Sequence, residues 1–215
     1  VGAEALIRWQ HPDKGLLAPN TFLPYLEKES DVMFELGLWV FKTAFNQHNN
    51  WQKEGLDLTL SINVTSHELQ HENFLKELKK LLNTYPKIDP KTIEFEVLES
   101  HAFEDFEHVS KVLQKCKEIG FSIALDDFGT GYAALHYLKK FPMNNLKIDK
   151  SFVLDLTTER NSLSIIEASM GLAHAFNCSV IAEGVESEEQ GRILLQFGCE
   201  FAQGFCIAKP MEANK

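Results

Sequence analysis

Seven short apolar runs alternate with longer segments of helical periodicity, and this alternation narrows the possible folds more than any other feature of the chain. The strand-like runs cover residues 2–7, 58–64, 92–98, 122–126, 146–149, 180–183 and 201–205. Between them, residues 32–52, 68–82, 106–119, 162–176 and 188–197 repeat apolar side chains at helical spacing. Gly120 and Gly198 follow two of these segments as helix stops. Strands separated by helices are βα units, which lay down a parallel sheet. No low-complexity tract or proline-serine linker divides the 215 residues, so 1–215 reads as a single domain. A closed (β/α) barrel has eight strands and usually about 250 residues. Seven strands and an abrupt start at Val1 therefore predict an α/β, TIM-type (β/α) barrel lacking its first strand.

Polar residues fall at the ends of these strands. Ile123-Ala124-Leu125 runs straight into Asp126-Asp127 and then into Phe128-Gly129-Thr130-Gly131. Two adjacent carboxylates at a strand end repel unless a cation or a proton offsets them. The first strand carries Glu4, with Arg8 beyond it. The second ends in Asn63, the third holds Glu96 and Glu99, and Lys147 and Asp149 occupy the fifth. Glu183 ends the sixth, Glu186 lies three residues on, and Gln203 sits in the last. In a parallel barrel all these ends share one mouth, the face that carries the active site. Oxygen donors without histidine or cysteine point to hard cations, Mg2+ or Mn2+, rather than zinc. Side by side, Asp126 and Asp127 suit two ions with a shared ligand, an arrangement that serves phosphoester cleavage. Among these acids Lys147 fits a phosphate clamp, a transition-state donor or a water-activating base.

Charge and composition exclude several alternatives. A net charge of -10 argues against binding DNA or RNA duplexes through a basic face. It leaves room for an anionic substrate, because bound cations invert the local field. No apolar run reaches the roughly 20 residues of a membrane span, and no signal segment opens the chain. Cys116, Cys178, Cys199 and Cys206 lack CxxC spacing and read as buried free thiols, which places the domain in the cytoplasm. Any tether to the inner membrane belongs to segments outside these residues.

Taken in order, Glu4-Ala5-Leu6 with Arg8, Asp126-Asp127-Phe128-Gly129-Thr130-Gly131, Lys147-Ile148-Asp149, Ala182-Glu183-Gly184-Val185-Glu186 and Gln203-Gly204-Phe205 resemble the EAL family of cyclic di-GMP phosphodiesterases. The resemblance implies a TIM-type barrel that hydrolyses one phosphodiester bond of cyclic di-GMP, giving linear pGpG, with two divalent cations. It implies that Glu4, Asn63, Glu96, Asp126, Asp127 and Glu183 hold metal. Lys147 would help activate the water, with Glu183 and Gln203 beside it, and Arg8, Asp149 and Glu186 would touch substrate. Glu99 would steady the loop after Asp127, a loop that also contributes to a homodimer contact in the family. Sensory or GGDEF domains are common neighbours, and family members have a further helix after the closing motif, which this sequence lacks. Two departures stand out: Leu98 replaces the usual threonine between the two glutamates, and Ala133-Ala134 replace a serine pair. A degenerate domain that binds the dinucleotide without cutting it is the alternative, and Leu98 is the one feature that favours it.

Three other motifs point elsewhere. His67-Glu68-Leu69-Gln70-His71 fits the H-E-x-x-H zinc pattern, but no third ligand is evident and Ser66 reads as an N-cap. Gly129-Thr130-Gly131-Tyr132-Ala133-Ala134 fits a dinucleotide fingerprint, with Asp149 at the expected distance. The aspartates before it would repel a pyrophosphate. Asp127-Phe128-Gly129 is a kinase triplet without its companion motifs. Phe103, Phe106, Val109, Val112 and Leu113 read as core rather than as a base-stacking stripe.

Overall fold

The computed structural model describes residues 1–102, 105–131, 135–157 and 160–213. Seven parallel strands form one curled sheet: β1 (Gly2–Ala5), β4 (Thr59–Asn63), β5 (Ile93–Leu98), β6 (Ser122–Phe128), β7 (Asn145–Ile148), β8 (Ser179–Ala182) and β9 (Phe201–Ala202). They lie in that spatial order, which is also chain order, as successive βα units require. Two further strands, β2 (Trp9–His11) and β3 (Gly15–Leu17), make a small antiparallel hairpin beside the first strand end. The sheet curls far enough that Gln203, just past β9, donates to Glu4 of β1 at 2.7 Å. This is the TIM-barrel type of architecture, with β1 and β9 as its edges.

Helices cover the convex face. They are α1 (Leu23–Leu26), α2 (Ser30–Lys53), α3 (Ser66–Gln70), α4 (Phe74–Thr84), α5 (Glu99–Ala102), α6 (Phe106–Ile119), α7 (Leu135–Leu138), α8 (Lys150–Leu154), α9 (Arg160–Phe176) and α10 (Glu188–Gln196). Because side chains alternate along a strand, one residue set faces the helices: Leu60, Ile62, Ile93, Phe95, Val97, Ile123, Leu125, Leu146 and Ile148, all buried. Phe95 stacks on Phe121 at 4.6 Å and meets Phe41 of α2 edge-on at 5.5 Å. Each such ring contributes roughly 2–3 kcal/mol by leaving water. Val109, Val112 and Leu113 of α6 are buried and Phe106 packs against them, as a core face should. Phe103 and Ala133-Ala134 lie outside the described residues.

The structure differs from the sequence expectation in three places. Residues 68–82 form two helices, because His71 turns extended between α3 and α4, stacks flat on Phe34 at 3.5 Å and accepts the Asn73 amide. The hairpin and α8 have strands and turns too short to show a period. Cys206 is exposed, not buried; Cys116 and Cys199 are buried, Cys178 is half-buried, and all four are free thiols. No described helix is long and apolar enough to cross a membrane.

Candidate active site

The other residue set faces the concave side, and there the sheet is polar. Glu4, Asn63, Glu96, Asp126, Lys147, Glu183 and Gln203 converge at the carboxyl ends of their strands. The convergence has a dry half and a wet half. In the dry half, Lys147 is 1% exposed and its Nζ lies 2.7 Å from Glu183, 2.8 Å from Glu96 and 3.3 Å from Asp126. The two shorter contacts are charge-assisted, with the Lys147 ammonium donating to Glu96 and Glu183. In the wet half, Asn63 Nδ2 and Gln203 Nε2 each donate to Glu4 at 2.7 Å, one to each carboxylate oxygen. That leaves the amide oxygens of Asn63 and Gln203 as the atoms they can offer a cation.

Electrostatics follow burial. Glu96 is pushed up to about 8 by burial, against the pull of Lys147 and with the push of Glu4 and Asp126. Burial likewise raises Glu183 to about 7 and Asp127 to about 6, the latter helped by Asp126 and Asp149. For Lys147, burial alone would favour the neutral amine, but Glu96, Glu183, Asp126 and Glu4 together raise its pKa. A lysine in this setting stays an ammonium. Three acids held above their ordinary range are a site with more negative charge than one lysine can balance.

On a regular strand Asp126 and Asp127 would point to opposite faces. They do not, because β6 loses its register against β7 between Leu125 and Phe128, and Asp127 takes a left-handed backbone with φ of 53°. A bulge of this kind re-aims a side chain beside an active site. It brings oxygens of Asp126, Asp127 and Glu183 within 4.8 Å of one another, close enough to hold one cation. A non-glycine residue at positive φ costs of order 1–3 kcal/mol and persists only when its surroundings hold it. Here the hold is visible: Asp126 Oδ1 accepts the Asp127 amide at 3.0 Å. The buried Glu99 accepts the Gly129 and Gly131 amides at 2.9 and 3.2 Å. Leu98 is half-buried at the end of β5 and does not prevent that grip.

The structure does not draw every expected residue into the cluster. Asp149 neighbours Asp127, yet its carboxylate also caps α8 by accepting the Ser151 amide at 3.0 Å and the Ser151 hydroxyl. Arg8 donates to the carbonyl of Ile7 at 2.7 Å, and Glu186 is exposed with its amide bonded to Gln190. Neither side chain shows a bond to the acids among the described residues. The H-E-x-x-H motif is accounted for structurally. Glu68 is buried and closes a capping box with Thr65, and a side chain at Gly37 of α2 would collide with its carboxylate. Sequence reasoning missed Glu94, Ser61 and Asn145, which form a second polar layer one alternation below Glu96, Asn63 and Lys147. The two-residue spacing was the available signal.

Comparison with known proteins agrees with this geometry. The chain matches the EAL domain family over residues 1–210. Signaling protein YkoW of Bacillus subtilis is 39% identical over 210 residues, 98% of this chain and 26% of that protein. Cyclic di-GMP phosphodiesterase PdeR of Escherichia coli is 37% identical over 210 residues, 98% of this chain and 32% of that protein. This chain thus spans about a quarter to a third of the curated relatives named here. A solved structure of the PaMucR phosphodiesterase in complex with c-di-GMP superimposes with a TM-score of 0.93 at 35% identity, over 100% of this chain and 86% of that one. With the family match running over nearly the whole length and the fold superimposing closely, the chain belongs to the EAL domain family.

Proposed function

We propose that this domain hydrolyses cyclic di-GMP to linear pGpG with two divalent cations, Mg2+ or Mn2+. The observation that carries the reading is the Asp126–Asp127–Glu183 oxygen cluster standing against the buried Lys147. Its donors fit a hard cation: they are carboxylate and amide oxygens, partly dry, and in charge excess. Glu4, Asn63, Glu96, Asp126, Asp127 and Glu183 would hold the metal. When bound, the cations neutralise phosphoryl oxygens and lower the pKa of water.

The chain's own residues do the rest. Arg8 at the rim binds the substrate phosphate, and Asp149 and Glu186 flank the entry. Lys147, held as an ammonium by Glu96 and Glu183, can donate to the attacking water or to a phosphoryl oxygen. Gln203 fixes Glu4 and closes the wet side. In the overall reaction water adds to phosphorus, one P–O bond to a ribose oxygen breaks, and the released oxygen takes a proton. The names of relatives such as PdeR support the substrate, and the grip of Glu99 on its loop supports turnover over binding alone.

Incubation with cyclic di-GMP and Mn2+, followed by chromatography, should show pGpG that disappears with chelator. Tight dinucleotide binding without product at saturating metal would identify a receptor instead. The same reading extends to assembly as a homodimer, for which light scattering should give twice the chain mass. A single-chain mass at working concentration would rule that out.

A further inference from the structure

Beneath the metal-facing layer lies a second set of polar side chains that the chemistry above does not use. Glu94 of β5 is 3% exposed, and its two carboxylate oxygens have separate partners. Ser61 Oγ of β4 donates to one at 3.1 Å, and Asn145 Nδ2 of β7 donates to the other. β5 and β7 are not neighbours; β6 runs between them. The Glu94–Asn145 bond therefore spans β6 on its concave side. It can do so because it runs diagonally past two small side chains of β6: Ser122, which pairs with Glu94, and Ala124, which pairs with Asn145. One alternation higher, the Glu96–Lys147 ion pair makes the same span.

From this stacking we infer that Glu94 is a positioning residue: with Ser61 and Asn145 it fixes the spacing of β4, β5 and β7, and thereby the distances among Asn63, Glu96 and Lys147. Each member of the lower layer stands two residues before a member of the site on the same strand. A buried carboxylate satisfied by neutral donors is costly to build and rigid once complete. Such a strut sets geometry without touching substrate or metal. The inference rests on the proposed phosphodiesterase reading.

The test uses polarity exchange. Asn145→Asp sets a carboxylate against the Glu94 carboxylate, acceptor against acceptor, and Glu94→Gln added to Asn145→Asp restores a donor and an acceptor. Glu94→Gln alone can still accept from Asn145 and donate to the Ser61 hydroxyl. We expect Asn145→Asp to lower kcat by about 10–100-fold, with KM for cyclic di-GMP within about twofold, and to weaken Mn2+ binding measured by calorimetry by about tenfold. Glu94→Gln alone, with a partner left for each end of its amide, should do less. The double variant should recover most of both losses, while circular dichroism shows all four proteins folded. A purely structural role would lower melting temperature without a kcat-specific loss or rescue. Unchanged kcat and Mn2+ affinity in Asn145→Asp, or a double variant no better than Asn145→Asp alone, overturns the inference while leaving wild-type activity intact. A wild type that binds Mn2+ but makes no pGpG overturns the activity reading instead. The calorimetric arm then still decides the role of Glu94.

Discussion

The two faces of one sheet obey opposite rules. On the convex face Phe95, Leu125 and Leu146 are buried among helices, and the neighbours of each are apolar. On the concave face the residues one position away are Glu96, Asp126 and Lys147, equally dry but charged. The first arrangement stabilises the fold by removing apolar surface from water. The second consumes part of that stability, because desolvated charges repay their burial only when paired. The contrast teaches where the molecule's stability resides and where its chemistry resides, although the two are separated by a single residue of strand.

Breaking each face should give different signatures. Lys147→Met should have the largest effect, because it leaves Glu96 and Glu183 buried without their counter-charge. Loss of about 3–5 kcal/mol of stability should accompany a fall of about 10²–10³-fold in kcat, read by denaturant unfolding and product formation. Phe95→Ala should cost a similar 3–5 kcal/mol while kcat, assayed below the lowered melting point, stays near wild type. Equal kcat losses in the two variants would erase the distinction between the faces. Glu4→Ala removes the acceptor shared by Asn63 and Gln203 at a half-exposed position. Turnover should drop by more than about 100-fold with stability within about 1 kcal/mol.

The smallest effect concerns pH. In metal-free protein Glu96 and Glu183 are raised from 4.5 to about 8 and about 7, first by burial. The folded state then binds more protons than the unfolded one across that window, so the contribution of these two groups to stability is full below about pH 4.5 and is lost as pH rises toward 8. Chelator-treated protein should show this decline in thermal melts, and added Mn2+ should flatten it. A stability that rises over the same interval would mean that these carboxylates are already compensated.

Much of this was legible in the sequence because strand ends and helix periods are local signals. Glu4, Asn63, Glu96, Asp126, Lys147, Glu183 and Gln203 each follow an apolar run, and parallel topology alone brings them to one mouth. The bulge that turns Asp127 to the same side as Asp126 was not legible in local pattern, since the run 122–128 holds no glycine or proline; the grip of Glu99, at the start of α5, follows only from the family resemblance. Glu94 was hidden for a different reason. It alternates with buried apolar residues, as a solvent-facing glutamate would, and only the curl of the sheet closes water away from it. The H-E-x-x-H pattern, which lacks a third ligand in the sequence, gives Glu68 to a capping box, and the cap is Thr65 where the sequence suggests Ser66.

The central claim is that this concave cluster is a two-cation site. A manganese titration followed by electron paramagnetic resonance, with cyclic di-GMP present, tests it most directly. Two ions should bind per wild-type chain, and Asp126→Ala, which removes the shared carboxylate, should bind at most one. Wild-type protein that takes up no manganese, or an Asp126→Ala variant that still takes up two, would contradict the account.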